Sequence, residues 1–322
     1  MRVFVTGGNG FIGSHVVAQL AREGHTIRCL LRPTSDTSRI DSVDFEPHIG
    51  DVRDIDSLKA GMDGMDACIH LASISAWGDM RSSALKDTVV DGTHNILKAS
   101  AAAEGLRLIY VSSAIAVNGS IKPRVFNEDS PFELTDRSMP YALAKHQAEE
   151  LVLRYVSEGL DAVIVNPAEV YGPNDTSYVT AGNLVDALTS WPALACHGGT
   201  AITHVEDVAD AMVQAMTKGR CGERYILGGD NLSVTELLKL TVKLAGRPRP
   251  VVTLPNGPLK WSINTLARLK LPTPVAPEVL DYATFYFFMD SSKAKRELGY
   301  KPRPADEVLL PVIDWLLDTG RV

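Results

Sequence analysis

The sequence has little cysteine, few aromatic residues and no excess of positive charge. Only four of its 322 residues are cysteines, and no two of them have the CxxC spacing of a redox or zinc motif. We therefore expect reduced thiols and no bound metal. The 32 Lys and Arg residues against 39 Asp and Glu residues give a net charge of −7, which excludes the strongly cationic surface of a general nucleic-acid-binding protein.

Long apolar runs are also missing. A membrane-spanning helix needs about 20 apolar residues, whereas the longest candidate, the aromatic run 283–288, is far shorter. The first residues lead directly into a glycine loop and do not have the pattern of a signal peptide. These features predict a protein without a membrane span that is located in the cytoplasm. With a hydrophobic share of 45%, the composition is that of an ordinary globular protein.

The first half of the chain alternates short apolar runs with helix-length patterns. Strands are predicted at residues 2–6, 26–31, 67–72 and 106–112, and helices at residues 11–23, 56–62 and 84–104. Strands that alternate with helices indicate an α/β fold with a doubly wound parallel sheet. The strands are apolar along their whole length, as expected for a sheet that is covered on both faces.

The second half has more proline and fewer strand patterns, which indicates a smaller, mostly helical C-terminal lobe for substrate binding. The runs 200–204 and 223–227 are nevertheless apolar enough to return to the sheet. Such a lobe would lie over the carboxyl ends of the strands, where open α/β sheets bind ligands. The predicted division assigns residues 1–171 plus about 198–229 to the sheet domain, and residues 172–197 plus about 230–322 to the lobe.

A glycine-rich loop follows the first strand and opens the first helix. Residues 6–13 read Thr-Gly-Gly-Asn-Gly-Phe-Ile-Gly and satisfy both GxGxxG and TGxxGxxG. The glycines permit a tight turn and a close approach of a pyrophosphate, which the free N–H groups of the helix N-terminus bind. This context predicts a Rossmann dinucleotide-binding domain. The predicted cofactor contacts in the loop are Gly7, Gly10, Phe11, Ile12 and Gly13.

The end of the second strand bears on the choice between NAD and NADP. An acidic residue there usually binds the ribose 2′-hydroxyl of NAD, but no acid occurs before Asp36, and Arg32 stands at the strand end. A guanidinium is suited to bidentate binding of a 2′-phosphate. The sequence therefore favours NADP through Arg32 and leaves NAD open, the alternative being that Arg32 is a solvated loop residue.

A tyrosine–lysine pair opens the predicted helix that begins at Pro140. Tyr141 and Lys145 are four residues apart and so lie one turn apart on the same side of the helix. An ammonium group near a phenol favours the phenolate and makes the tyrosine usable for proton exchange. Ser112 and Ser113 end the preceding apolar strand, where a hydroxyl could hydrogen-bond a substrate oxygen. The alternative for the pair is a solvated helix face.

With these motifs, the chain resembles the extended short-chain dehydrogenase/reductase superfamily (the NAD-dependent epimerase/dehydratase family) over nearly its whole length. It looks most like the branch that contains dihydroflavonol reductases, 3β-hydroxysteroid dehydrogenases and hopanoid-associated epimerase-like proteins. The motifs that carry the resemblance are residues 6–13, 50–54, 70–73, 110–114, 141–145, 166–173, 204–209 and 290–300.

The resemblance implies roles for individual residues. It makes Ser113, Tyr141 and Lys145 catalytic, with Ser112 as the less favoured serine. It also implies a homodimer formed through the helix that carries the tyrosine and lysine. The implied cofactor contacts are Asp51 and Val52 at the adenine, Leu71, Ala72 and Ser73 beside the cofactor, Pro167, Ala168 and Val170 beside the nicotinamide, and Tyr141 and Lys145 themselves.

The sequence gives less information about the substrate-binding residues. Nucleotide-sugar epimerases and dehydratases of this superfamily use arginines for the substrate diphosphate, yet the two corresponding stretches, 198–203 and 280–288, contain neither arginine nor lysine. The second stretch is aromatic, which fits either the wall of an apolar pocket or the core of the lobe. Asn166 occupies a place often held by arginine and leaves the substrate side open.

Three functional hypotheses follow. The first is an NAD(P)-dependent ketone reductase or alcohol dehydrogenase for a largely apolar small molecule such as a cyclic ketone. The second is a sugar or nucleotide-sugar epimerase or dehydratase that reduces its cofactor only transiently, and net consumption of NADPH would separate it from the first. The third is a non-enzymatic dinucleotide-binding redox sensor, which would have no need for a tyrosine and a lysine at this spacing.

Overall fold

The computed structural model describes residues 1–74, 82–135, 139–273 and 275–322. Within these residues the strands are β1 (Arg2–Thr6), β2 (Thr26–Leu31), β3 (Glu46–Ile49), β4 (Ala67–His70), β5 (Arg107–Val111), β6 (Val125–Phe126), β7 (Ala162–Pro167), β8 (Glu169–Tyr171), β9 (Ala193–Cys196), β10 (Gly199–His204), β11 (Arg224–Leu227), β12 (Asn231–Ser233), β13 (Val251–Leu254) and β14 (Tyr286–Met289). The α-helices are α1 (Phe11–Arg22), α2 (Ile55–Met62), α3 (Ser83–Lys86), α4 (Gly92–Ala102), α5 (Pro140–Ser157), α6 (Ala181–Thr189), α7 (Val205–Lys218), α8 (Val234–Leu244), α9 (Asn256–Arg268), α10 (Pro277–Ala283), α11 (Ser292–Glu297) and α12 (Ala305–Asp318).

A seven-stranded parallel sheet forms the centre of the larger part of the molecule. Its strand order is β11-β7-β5-β4-β1-β2-β3, and every neighbouring pair is parallel. The chain runs outward from β1 to β3 and then returns to β4 on the other side of β1. Open sheets of this kind bind ligands at the carboxyl ends of the strands where the order reverses. The predicted doubly wound α/β fold is confirmed.

Both faces of this sheet are buried, because successive side chains of a strand point to opposite faces. In β1, Val3 and Val5 pack into the cluster that contains Leu20 of α1 and Met212 of α7. Phe4 lies between them and packs on the other face, against residues of α2 and α4 such as Leu58. Strands covered on both sides need apolar residues at every position, which is the continuous pattern seen in the sequence.

Three elements differ from the sequence-based expectation. The strand β3 was not predicted, because its sequence Glu-Pro-His-Ile is polar; it lies at the sheet edge, where proline is tolerated. The long helix expected at 84–104 is divided into α3, a π-helical segment Asp87–Asp91, and α4. Of the two later runs expected in the main sheet, β11 joins it, whereas β10 does not.

Instead, β10 belongs to a second sheet in the order β12-β10-β14-β6, with β8 also paired to β10. A run of apolar residues identifies a strand but does not identify its neighbour, so the sequence could not decide this point. A small sheet of β9 and β13 completes the strands of the lobe. Helices α6, α8 and α12 pack together there around Leu184, Leu237 and Val312. The domain boundaries proposed from sequence remain a prediction.

Three further features concern the classes of protein considered above. Within the described ranges, no helix is long and apolar enough to cross a membrane. All four cysteines are free, and only Cys221 is exposed. In the same described ranges, no cluster of three or more His, Cys, Asp or Glu side chains is arranged to hold a metal ion.

Candidate active site

The glycine loop is packed too tightly to accept side chains. Gly7 has a φ of +72°, and a Cβ added there would lie 2.8 Å from the backbone nitrogen of Ala72. A Cβ on Gly13 would overlap the carbonyl oxygen of Gly7. Helix α1 starts after Gly10, and because Gly10 has no side chain it leaves the first N–H groups of the helix uncovered. The first turn of α1 has no acidic residue. This backbone cradle fits a dinucleotide pyrophosphate, which Gly7, Gly10, Phe11, Ile12 and Gly13 would surround.

The ends of β1 and β4 are joined by a buried chain of hydrogen bonds. The Thr6 hydroxyl lies 2.7 Å from His70 Nδ1 and accepts a hydrogen bond from the Ala72 N–H at 3.2 Å. The other ring nitrogen of His70 lies 3.2 Å from the Thr93 hydroxyl. Burial lowers the pKa of His70 to about 3, so the ring is neutral. These hydrogen bonds hold the carboxyl end of β4 in place, where Leu71, Ala72 and Ser73 follow the strand.

The predicted adenine end carries a charged pair. Arg53 donates two hydrogen bonds to the Asp51 carboxylate, at 2.9 and 2.8 Å, and this pairing lowers the pKa of Asp51. Val52 beside it is buried, and its carbonyl accepts a hydrogen bond from Asn95. Arg32 is exposed, and its positive charge also acts on Asp51. The structure therefore brings Arg32 to the predicted adenine site with its guanidinium open to solvent.

A second arginine at this side of the loop was missed by the sequence reasoning. The Arg39 guanidinium donates to the carbonyl of Asn9, in the glycine loop, at 3.5 Å and also contacts the Thr176 hydroxyl. Asn9 in turn donates to the carbonyl of Asp36 at 3.0 Å. These contacts tie the glycine loop to the segment after β2. The sequence feature that could have indicated Arg39 is its position as a second basic residue seven positions after Arg32.

At the predicted nicotinamide end, Pro167 is the last residue of β7. The next residue, Ala168, donates its N–H to the carbonyl of Leu227 at 3.0 Å. Val170 is buried in β8 and pairs with Thr203 of β10. The segment 167–170 therefore links the main sheet to the second sheet, at the carboxyl edge that also carries the glycine loop.

Helix α5 positions the tyrosine–lysine pair. Its first residue is Pro140, whose missing N–H costs nothing in the first turn. Lys145 is only 3% exposed, and its ammonium donates a hydrogen bond to the Val111 carbonyl at 3.0 Å. The ammonium lies 5.9 Å from the centre of the Tyr141 ring. Burial lowers the pKa of Lys145 to about 8, against the opposing effect of the Glu149 carboxylate.

Tyr141 is held at the same edge by its backbone. Its N–H donates to the hydroxyl of Tyr282 at 3.2 Å. Burial raises the pKa of Tyr141 to about 12, and the nearby Ser73 hydroxyl opposes part of this rise. The phenol is therefore protonated at neutral pH. From the sequence we expect Lys145 to lower the pKa of Tyr141. The Lys145 ammonium is directed at the Val111 carbonyl, so this effect stays a prediction.

The two candidate serines have different environments. Ser112 is buried and its N–H is bonded to the Val165 carbonyl at 2.8 Å, in continuation of the sheet. Ser113 is partly exposed and has an extended backbone, with φ −159° and ψ 150°. Successive residues of an extended chain point in opposite directions. Ser113 is therefore the more accessible of the two serines, and its catalytic role remains a prediction.

A buried polar network behind these residues was also missed. Glu149 is fully buried, with one carboxylate oxygen 2.5 Å from Asn166 Nδ2 and the other 2.9 Å from Arg224 Nε. Asn166 Nδ2 also donates to the Ser113 carbonyl at 3.0 Å. The Asn166 side chain therefore points into the protein, toward Glu149 and the Ser113 carbonyl. The available signal was Glu149, four residues after Lys145 on one helix face.

The aromatic residues at the end of α10 and just after it belong to the core, and one of them also lines a cavity. Tyr282, Phe285 and Phe287 are buried, and the Phe287 ring stacks at 6.5 and 6.3 Å from the other two. Tyr141 packs against the same cluster. A cavity of about 310 Å³ lies beside it. The residues that line this cavity are Ile121, Met139, Asn256, Gly257, Lys260, Asp281, Thr284 and Phe285.

The parallel sheet, the glycine cradle and the strand-end polar groups define a dinucleotide-binding protein of the Rossmann type. Comparison with known families gives a more specific assignment. Residues 3–228 match the NAD dependent epimerase/dehydratase family, and the chain belongs to that family.

Individual relatives match over almost the whole chain. A putative dihydroflavonol 4-reductase from Synechocystis sp. is 30% identical, with 99% of this chain and 95% of the relative covered. Sterol demethylase protein B from Methylococcus capsulatus is 28% identical, with both chains fully covered. Among solved structures, the protein described as gox2253 has a TM-score of 0.85 and 34% identity, covering 100% of this chain and 99% of that one. The chain is thus similar to a protein named as a putative reductase and to one named as a sterol demethylase protein.

Proposed function

We propose that the protein is an NADP-dependent ketone reductase, or alcohol dehydrogenase in the reverse direction, for a largely apolar small molecule. The observation that carries the proposal is a protonated, partly buried tyrosine beside a buried lysine, at the edge of an aromatic cluster with an adjoining cavity. Ketone reduction needs an acid at the carbonyl oxygen, and a phenol with a raised pKa is available as that acid at neutral pH.

Each active-site residue has its own role in the proposed reaction. When bound, the nicotinamide cofactor supplies the hydride for the carbonyl carbon, or accepts it in the reverse direction. Tyr141 gives its hydroxyl proton to the substrate oxygen. Ser113 donates a hydrogen bond to the same oxygen as negative charge develops on it. The Lys145 ammonium stabilises the tyrosinate that remains, because an opposite charge nearby favours the ionised phenol.

The apolar substrate class has separate support. The two stretches in which a nucleotide-sugar enzyme of this superfamily would carry arginines form β10 and the segment around β14, which pair side by side. Neither stretch contains lysine or arginine. Lys260, at the cavity, lies 3.5 Å from Asp281 and is thus already next to a carboxylate. A diphosphate would find few partners there, whereas an apolar ring would contact Phe285, Met139 and Ile121.

The test of this function is net cofactor consumption. Purified protein is incubated with NADPH and a panel of cyclic and aryl ketones, and separately with NAD⁺ or NADP⁺ and nucleotide-diphosphate sugars, while the absorbance of the reduced cofactor is recorded. We expect stoichiometric loss of NADPH with at least one apolar ketone. Conversion of a sugar nucleotide without net change in the reduced cofactor would establish the epimerase or dehydratase alternative. Tight cofactor binding without turnover of either class would favour the redox sensor.

Replacing Arg32 with Ala should weaken NADPH binding by about 10- to 100-fold, because a charge-assisted, bidentate contact to the 2′-phosphate is lost. NADH affinity should stay the same, since NADH has no phosphate at that position. Dissociation constants from cofactor fluorescence check both values. Lys59→Ala is the matched control, an exposed cation on the neighbouring helix α2. Equal loss of NADPH affinity in both variants, or none in Arg32→Ala, would exclude Arg32 as the phosphate ligand.

The proposed role of Lys145 predicts a fall in the rate of reduction above about pH 8. The pKa of Lys145 is lowered to about 8, so its ammonium loses its proton as the pH rises through that value. The tyrosinate then loses the charge that stabilises it. A profile of kcat against pH from 6 to 10, with saturating cofactor and ketone, measures this limb. A flat profile across this range would mean that the lysine charge does not contribute to turnover.

We also propose a homodimer formed through α5. Leu151, Leu153 and Tyr155 on this helix are only partly buried in the single chain, which leaves apolar surface for a second copy. Light scattering of the eluting protein gives the mass in solution. A monomer at micromolar concentration would contradict this assembly.

A further inference from the structure

One long stretch of the chain has an unusual charge pattern. Between Glu236 and Glu278 there is no acidic residue, although the whole protein has a net charge of −7. The same stretch is rich in basic residues, namely Lys239, Lys243, Arg247, Arg249, Lys260, Arg268 and Lys270. Positive charge is therefore concentrated in a segment of the sequence that includes α9.

Helix α9 has two distinct sides. Ile263 is buried, and Asn256, Gly257 and Lys260 line the cavity next to the proposed active site. Trp261, one turn after Gly257, is 72% exposed, and Arg268, two turns later, is exposed on the same side as Trp261. Helix α9 therefore has a side that lines the cavity and, next to it, an exposed aromatic and basic side.

The chain beyond α9 continues this outer surface. Leu269 is 64% exposed and Leu271 is 50% exposed, with the exposed Lys270 between them. We define the α9 face as Trp261, Arg268, Leu269, Lys270 and Leu271. It combines a tryptophan, two leucines and two cations with no acid. Tryptophan and leucine side chains bury themselves at the boundary between lipid headgroups and acyl chains, and lysine and arginine bind anionic headgroups.

We propose that the α9 face docks on the surface of an anionic lipid bilayer. Charge complementarity selects this partner, because the α9 face carries Arg268 and Lys270 and no acidic residue although the protein has a net charge of −7, and such cations are attracted to anionic lipids. Continuity with the cavity supports it as well. Docking there would bring the inner side of α9 close to the bilayer, in which an apolar substrate of the proposed function dissolves. The docking itself does not depend on that function.

The experiment is flotation of the full-length protein with lipid vesicles. One set of vesicles contains phosphatidylcholine and phosphatidylglycerol, and the other contains phosphatidylcholine alone; each is measured at low and at high NaCl concentration. We expect binding to the anionic vesicles at low salt, and clear loss of binding in high salt or without phosphatidylglycerol. The double variant Trp261→Ser/Lys270→Glu should bind at least tenfold more weakly, since each basic residue near the surface contributes roughly fivefold.

A matched control separates this face from exposed apolar and basic residues in general. Ile49 is 60% exposed at the edge of the main sheet, and Lys59 is exposed on α2. The variant Ile49→Ser/Lys59→Glu should float like the natural protein. Absence of binding to anionic vesicles, or equal losses in the two double variants, would overturn the proposal. So would a change from dimer to monomer in Trp261→Ser/Lys270→Glu, because the α9 face would then be covered by a second copy of the chain.

Discussion

Replacing Tyr141 with Phe is expected to lower kcat for ketone reduction by about 10²- to 10⁴-fold, the usual contribution of a positioned general acid. Phenylalanine keeps the ring that packs against the aromatic cluster and the buried residues of α3 and the π-helical segment Asp87–Asp91, so the fold should be preserved. The hydroxyl that donates the proton is lost. Affinity for NADPH should remain nearly unchanged, because the glycine cradle and Arg32 are untouched. Steady-state kinetics and cofactor fluorescence measure the two effects separately.

The control for this variant is Tyr155→Phe, which removes a hydroxyl from the same helix. Tyr155 is partly buried, and its ring contacts His94 rather than the proposed active site. We expect its kcat to stay within about twofold of the natural enzyme, as for surface changes away from the reacting atoms. A Tyr141→Phe variant that retained most of its kcat would contradict the proposed role of Tyr141. Parallel loss in both variants would indicate damage to the helix instead.

Replacing Glu149 with Gln is expected to lower the free energy of unfolding by about 3–5 kcal/mol. Glu149 is fully buried, and its carboxylate lies 2.9 Å from a mostly buried Arg224 guanidinium. Removing one partner of a buried ion pair leaves the other charge without compensation, and that is the origin of the large cost. Glutamine retains the size of the side chain and an oxygen for Asn166. Urea denaturation at pH 7 measures the difference.

The neighbouring residue supplies the control. Glu150 is exposed and lies 3.9 Å from His146, so Glu150→Gln should change stability by less than about 0.5 kcal/mol. Replacing both Glu149 with Gln and Arg224 with Met should recover part of the stability that Glu149→Gln loses, because no unpaired charge then remains. Equal stability of the Glu149→Gln and Glu150→Gln variants would mean that the buried pair makes no net contribution.

The same substitution has a kinetic consequence that a purely structural role would not produce. The negative charge of Glu149 raises the pKa of Lys145 against the effect of burial. In Glu149→Gln the pKa of Lys145 should fall, so the loss of activity at high pH should begin at a lower pH than in the natural enzyme. Profiles of kcat against pH for Glu149→Gln and Glu150→Gln test this. Identical profiles would limit Glu149 to a structural role.

The local features of the molecule could be predicted from the sequence. The strands β1, β2 and β5 and the helices α1 and α5 follow from continuous apolar runs and 3.6-residue periodicity, which act within a few neighbouring residues. The glycine loop is equally local, because its turn and helix start need glycine whatever surrounds them. Spacing alone also placed Tyr141 and Lys145 one turn apart, since a helix fixes the distance between residues four positions apart.

Features that depend on distant neighbours could not be predicted. The polar edge strand β3 forms because β2 offers it backbone partners, and β10 pairs with β14 and β12 rather than with the main sheet. The inward orientation of Asn166 likewise depends on distant neighbours, because Glu149 and the Ser113 carbonyl reach it only in the folded chain.

The sequence by itself therefore determined the fold class, the dinucleotide loop and the catalytic candidates, because each depends on short-range geometry. The tertiary structure alone decided which serine is open, how the aromatic segment divides between core and cavity, and which buried charges lie behind the active-site edge. These depend on contacts between residues that are distant in the chain. Asn166 and Arg224 meet Glu149 only after β7, β11 and α5 have packed together.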